Sequence, residues 1–115
     1  MKTKIMTLIG LSGLLLMSCS TQVKQEVAAD ESPKLYLDVH DLGPGNVTFA
    51  AVADAHKKDL AAQGEFDVNF IKYWVDEKAG KVYCLAKAPS EANLFKTHNK
   101  AHGLVPDDIM EVTEG

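Results

Sequence analysis

The chain contains no arginine, and all twelve of its basic residues are lysine. Proteins that recognise phosphate or guanine commonly use the bidentate guanidinium fork, which lysine cannot provide. The formal net charge is −4, and the lysines form no basic stripe. The sequence therefore predicts that nucleic acid is not a partner of this protein.

Cysteine is also scarce, with only two residues. The first, Cys19, follows a basic start and an apolar stretch that is too short to span a bilayer. Leu16-Met17-Ser18-Cys19 resembles the bacterial lipobox, in which the cysteine becomes the lipidated N-terminus. We therefore expect residues 1–18 to be a lipoprotein signal peptide and Cys19 to anchor the protein in a membrane. The expected location is the cell envelope, facing the periplasm, on the outer membrane of a Gram-negative cell. The alternative is an ordinary secretory signal with a chance cysteine.

Residues 19–33 contain no aromatic side chain and are mostly polar after Cys19, which is typical of a flexible tether. The folded unit is then residues 34–115, a single small domain. With Cys19 lipidated, Cys84 is the one remaining thiol and can form no intrachain disulfide. A lone thiol outside the cytoplasm is expected to be buried, bound to metal or paired with another chain.

The hydrophobic patterns of the domain predict strands and helices in the order βαββαβ. Asn46 is the expected N-cap of the first helix, and Gly64 and Gly103 are the expected stops. The order predicts a ferredoxin-like α+β fold, with a four-stranded antiparallel sheet and two helices on one face. The predicted strands are 34–41, 68–75, 81–88 and 107–114, and the predicted helices are 47–64 and 90–102.

One face of such a sheet is left open by the helices. We expect Leu35, Leu37 and Val39 to point toward the helices, which assigns the alternate side chains to the open face. A mixture of aromatic and charged residues there favours a dimer interface or a ligand surface, with a partly wet face as the alternative. The side chains expected on this open face are Tyr36, Asp38, His40, Phe70, Lys72, Trp74, Ile109 and Glu111.

Three of the four histidines fall on or beside the inward stripes of the two helices. His56 continues an apolar stripe of the first helix, and His98 and His102 lie one turn apart on the second. Cys84 lies in a strand of the hairpin expected beneath them. Imidazole and thiolate together suit nickel, zinc or copper better than calcium or magnesium. Asp59, Tyr73 and Glu111 are candidate outer ligands.

Each of these residues also has an ordinary structural explanation. His98 can be a core histidine with satisfied hydrogen bonds, and a buried Cys84 can be an inert small hydrophobe. His102 precedes a glycine at a helix end, where it can interact with the last carbonyls and the helix dipole.

Three segments resemble a known family: AHKKDLAAQG, VNFIKYWVDEKAGKVYCLAKAP and HNKAHGLVPDDIMEV. They are similar to the small bacterial nickel-binding domain family, a ferredoxin-like domain of unknown function, over residues 34–114. The resemblance implies dimerisation through the sheets, giving a homodimer, and nickel binding in some members. The lipobox and tether depart from a cytosolic member and favour metal handling in the envelope. The metal-binding positions implied by the matching motifs are His56, Tyr73, Cys84, His98 and His102.

Three functions compete on this basis. The leading one is a metal buffer or chaperone that binds nickel, with zinc and copper as alternatives. The second is a small dimeric α/β-barrel enzyme, with a pocket on the open sheet face lined by Tyr36, Asp38, His40 and Trp74. His40 would then be the general base, although no nucleophile–base pair is evident. The third is an interaction module whose histidines are only structural.

Overall fold

The computed structural model describes residues 32–115. The expected signal peptide, the lipidated Cys19 and nearly all of the expected tether lie outside the described residues. The described residues belong to one compact unit. Within the described part of the chain, no helix is both long and apolar enough to cross a membrane.

The ferredoxin-like α+β fold is confirmed. The strands are β1 (Lys34–Asp41), β2 (Asn69–Asp76), β3 (Lys81–Ala88) and β4 (Asp108–Glu111), and the helices are α1 (Phe49–Ala62) and α2 (Glu91–Ala101). These four strands form one antiparallel sheet in the order β2-β3-β1-β4. A 3₁₀ turn, Gln63–Phe66, follows α1.

The expected orientation of β1 is wrong. Tyr36, Asp38 and His40 are the buried side chains of this strand, while Leu35, Leu37 and Val39 lie on the other face. A hydrogen bond between Asp38 and His98 of α2 shows that the buried face is the one covered by the helices. The apolar alternation predicted that side chains alternate between the two faces of the sheet. It did not predict which face is buried, because polar residues occupy the inward positions here.

A β-bulge in β2 corrects a second expectation. The register shifts between Phe70, which lies opposite Ala86, and Lys72, which lies opposite Leu85. The extra residue, Ile71, lets Phe70 face the helices while Lys72 stays on the open face. Tyr73 then lies opposite Cys84 on the helix side. Strict alternation along β2 would place Phe70, Lys72 and Trp74 on the same face of the sheet. For this reason the sequence pattern wrongly assigns Phe70 to the open face.

The hairpin between β2 and β3 fixes the start of α1. Thr48 rather than Asn46 is the N-cap, since its hydroxyl accepts a hydrogen bond from the Ala51 amide. The Glu77 carboxylate of the hairpin accepts a second bond from the Phe49 amide, at 2.7 Å. Gly80 packs so closely on the preceding loop that a Cβ there would lie 1.7 Å from the Gly43 carbonyl oxygen. The position of α1, and of the side chains it carries, is therefore set by the sheet.

The second helix begins and ends at residues that the sequence indicates. The Ser90 hydroxyl caps its N-terminus by accepting from the Asn93 amide. Gly103, with a φ of 83°, follows its C-terminus, and its amide donates to the carbonyl of His98. The expected glycine stop of α1 is different, because the 3₁₀ turn continues past Gly64 to Asp67, which takes the left-handed conformation.

Candidate metal centre

His98 of α2 lies between two carboxylates from two other elements. Its Nε2 is 2.8 Å from Oδ2 of Asp38 in β1, and its Nδ1 is 2.9 Å from Oδ1 of Asp59 in α1. The relative exposures of His98, Asp38 and Asp59 are 1%, 0% and 3%. The imidazole thus joins both helices to the sheet in the buried interior.

The second oxygen of Asp38 faces another imidazole. His40 lies two residues along β1, so both side chains are on the same face, and its Nε2 is 3.2 Å from Asp38 Oδ1. This contact is within ion-pair distance, but Oδ1 is left without a well-aligned hydrogen bond although it is buried. The rings of His40 and His98 meet edge to face, with centroids 4.7 Å apart. Asp38 therefore lies between two histidines and keeps one oxygen incompletely satisfied.

His102 binds the same oxygen of Asp59 that His98 binds. Its Nε2 is 2.9 Å from Asp59 Oδ1, while its Nδ1 accepts a hydrogen bond from the Leu104 amide. Since Nδ1 is an acceptor, the hydrogen of the ring must be on Nε2, which donates to Asp59. Both nitrogens of His102 are thus engaged, and the side chain holds Asp59 in place.

These contacts set the protonation states within the cluster, which is formed by Asp38, His40, Asp59, His98 and His102 and is completed by Cys84. Burial alone would lower the pKa of His98, but its hydrogen bonds to Asp38 and Asp59 and their charges raise the pKa to about 9. Burial would raise the pKa of each carboxyl, yet the close contact of His40 and the hydrogen bond from His98 lower that of Asp38, and the hydrogen bonds from His102 and His98 lower that of Asp59. At neutral pH, two carboxylates and the imidazolium of His98 are therefore buried together.

Cys84 completes the group from the neighbouring strand. It lies directly opposite Asp38 in the β1–β3 ladder, and its side chain is buried as a free thiol. Burial, together with the charges of Asp38 and Asp59, raises the pKa of the thiol far above its usual range. Cys84 is thus not a thiolate unless a cation lies beside it.

Two sets of donor atoms in the described residues are close enough to share an ion. Asp38, His40, Cys84 and His98 form one set, and Asp59, His98 and His102 form the other. Within each set, all donor atoms lie within 4.8 Å of one another.

The structure brings together three of the five metal positions expected from the sequence. Cys84 and His98 belong to the first set, and His102 belongs to the second. His56 and Tyr73 belong to neither set, although they line the same cavity as the cluster, with ring centroids 4.5 Å apart. Ligation by any of the five stays a prediction.

Two residues of the first donor set were not among the five expected metal positions, and a third residue near them was expected only as an outer ligand. Asp38 and His40 were assigned to the open sheet face, so the enzyme pocket expected there cannot be lined by them. The signal for their true position was present, since two polar residues at i and i+2 of a strand share a face. Asp59 was expected as an outer partner and does contact His98 and His102. Glu111, the other expected acidic partner, is exposed.

Comparison with known proteins identifies the family. Residues 36–112 match the family model described as "Nickel responsive protein SCO4226-like", a range that includes every member of the cluster. The chain belongs to the SCO4226-like family. Among solved structures, that of SCO4226 from Streptomyces coelicolor A3(2) is 33% identical, with a TM-score of 0.65. The match covers 70% of this chain and 98% of the SCO4226 chain, so the shared part is essentially a whole SCO4226-like domain. A search of curated proteins finds no match.

Proposed function

We propose that this protein binds a divalent transition metal, with nickel as the physiological ion, and serves as a metal buffer or chaperone. The observation that carries the proposal is the convergence of Asp38, His40, Cys84 and His98, whose four donor atoms lie within 4.8 Å of one another in the interior. Adjacent ligands of a tetrahedral ion are about 3 to 4 Å apart, given metal–ligand bonds of about 2.0 to 2.3 Å. A small contraction of the cluster would enclose an ion.

The donors also fit the chemistry of such an ion. One carboxylate, two imidazoles and a thiolate suit nickel, zinc or copper, whereas calcium and magnesium prefer oxygen alone. The incompletely satisfied Oδ1 of the buried Asp38 carboxylate favours a cation at this point. Nickel is chosen because the family is described as nickel responsive.

Asp59 and His102 have a supporting part in this proposal. His98 would hold a metal through Nε2, the atom that now bonds Asp38, while its Nδ1–H would remain bonded to Asp59. A carboxylate that receives the other N–H of a ligating histidine fixes the orientation of the ring and raises its basicity. His102 in turn fixes Asp59, so the second donor set supports the first.

The proposal is tested by nickel titration of the untagged, metal-free protein, followed by calorimetry and near-ultraviolet absorption. We expect one nickel per chain, with a thiolate-to-nickel charge-transfer band that is lost in Cys84→Ser. His98→Gln should abolish tight binding, whereas the matched variant His56→Phe should retain it. Lack of nickel, zinc and copper binding at micromolar metal would refute the function. Loss of binding in His56→Phe would instead restore His56 to the ligand set.

We also propose that two copies associate through the open sheet face. This face exposes Trp74 and Met110 and presents the leucine pair Leu37 and Leu85, which lie opposite each other in the ladder. An apolar face of this kind suits a partner that carries the same patch, as in a twofold dimer. Charges at its margins are complementary. With a twofold axis parallel to the strands, Lys72 on the β2 edge would lie over the β4 edge of the other copy, which carries Asp108 opposite Val39 on the open face.

The envelope location is the third part of the proposal. It is supported by the lipobox-like sequence that ends at Cys19 and by the polar stretch that follows. A lipid anchor followed by a flexible tether would hold the metal-binding domain near the membrane surface.

A further inference from the structure

A cavity of about 100 Å³ lies beside the cluster, between α1, the sheet and the loop that follows α2. The cluster forms its polar side. Leu104, which is 49% exposed, is part of the apolar lining and is in contact with solvent. The apolar lining consists of Leu42, Val47, Ala51, Val52, Ala55, Val82 and Leu104.

One buried polar atom of the cavity wall has no partner. Nδ1 of His56 makes no hydrogen bond, although it is shielded from solvent. The His56 ring is held by Tyr73 and Phe70, with centroids 4.5 and 5.9 Å away. Buried nitrogen atoms are nearly always hydrogen-bonded, so an orphan in a cavity wall indicates a missing partner. Burial lowers the pKa of His56, which therefore offers a neutral donor or acceptor at pH 7.

We propose that this cavity binds a small neutral aromatic alcohol, of the phenol class, whose hydroxyl group bonds to His56 Nδ1. A hydroxyl can donate or accept, so it satisfies either tautomer of the imidazole. The ring would lie between the apolar wall of α1 and the aromatic face of Tyr73. A cavity of about 150 Å³ encloses benzene, so this smaller one would enclose only part of a single ring, and the rest would extend toward solvent beside Leu104.

The charge of the neighbouring cluster selects against anions. The Asp59 carboxylate is part of the cavity lining. An aromatic carboxylate in the cavity would lie beside this buried like charge at low dielectric and would be repelled. This proposal does not depend on metal binding, because the apolar wall and His56 lie outside both donor sets.

The first test is an NMR titration of the metal-free, full-length chain with phenol, toluene and benzoate. We expect phenol to shift the signals of Val52 and Ala55 and to saturate in the millimolar range, whereas benzoate leaves them unchanged. His56→Phe keeps the ring and removes the nitrogen. It should weaken phenol about fivefold, as expected for one hydrogen bond, and leave toluene within about twofold.

The second test uses a matched pair of substitutions in α1. Ala55→Leu fills the cavity and should abolish binding of both phenol and toluene, while Ala50→Leu, on an exposed site outside the lining, should not. Phenol shifts that persist in Ala55→Leu, or equal binding of phenol and benzoate, would overturn the proposal, as would the absence of any saturable shift. Nickel uptake by Ala55→Leu should be unchanged. A protein that does not bind phenol can therefore be distinguished from one that does not bind metal.

Discussion

Nδ1 of His98 lies 2.9 Å from Oδ1 of Asp59, in a contact that is almost completely removed from solvent. It joins α2 to α1, while the other nitrogen of the same ring joins α2 to β1 through Asp38. A buried charge is tolerated only when it is paired and hydrogen-bonded, and here each partner meets that condition through the other. The same arrangement that holds the helices on the sheet is the one proposed to accept a metal.

The stability of the metal-free protein should fall at alkaline pH. The pKa of His98 is raised from 6.5 to about 9, so its contribution is fully present below pH 6.5 and is lost as the pH rises through about 9. Between these values the free energy of unfolding should decrease by about 1.4 kcal/mol per pH unit. Urea unfolding at several pH values measures this slope. A folded His98→Gln variant should lack it, and an equal slope in that variant would assign it to another group.

At acid pH the carboxyls should dominate. The pKa values of Asp38 and Asp59 are lowered in the folded protein, so their contribution is present above about pH 4 and is lost as the pH falls through their lowered values. The stability curve of the metal-free protein should therefore have its maximum between these two limbs. A protein that is equally stable at pH 3 and pH 6 would contradict this description.

Asp59→Asn should destabilise the protein strongly. The substitution keeps the shape but removes the buried negative charge that is bonded to both His98 and His102, and breaking a buried pair costs about 3 kcal/mol or more. The pKa of His98, followed by NMR, should fall at the same time. Asp54→Asn is the matched control, because Asp54 is an exposed aspartate of the same helix. Its effect should stay within about 0.5 kcal/mol, and similar losses in the two variants would show that the buried pair is not responsible.

Leu37→Asp should convert the proposed dimer to a monomer. The new carboxylate would lie at the centre of the apolar face, between Leu85 and Met110 of the adjacent strands, where it would be desolvated on association. Sedimentation velocity at several concentrations measures the change. Leu60→Asp places the same group on an exposed site of α1 and should leave the dimer intact. A wild-type protein that stays monomeric at high micromolar concentration would remove the dimer proposal.

Cys19→Ala should abolish lipid attachment. Cells that express the full chain and are labelled with a fatty-acid analogue should give a labelled protein that partitions into detergent, and the variant should do neither. Cys84→Ser is the control, because Cys84 is the one other cysteine of the chain and is buried in the fold. Label that survives in Cys19→Ala would exclude this residue as the anchor.

The sequence by itself determined the order and type of the elements. The strand 34–41 followed from a period-two pattern, and the hairpin followed from β-branched and aromatic residues on either side of a glycine-containing loop. The helix end at Gly103 followed from a glycine that can take a positive φ. The family motifs, which include Cys84, His98 and His102, could also be recognised as short stretches of the sequence. These features depend on near neighbours in the chain, so sequence carries them directly.

Only the tertiary structure decided which side chains meet. The bulge at Ile71 turned Phe70 inward, and the inward face of β1 proved to be polar. The polar inward face of β1 is stabilised by the pairing of Asp38 with His98, sixty residues away on α2. A polar residue in a strand gives no local sign of a distant partner, and the energy of pairing outweighs the apolar pattern that would have turned β1 the other way.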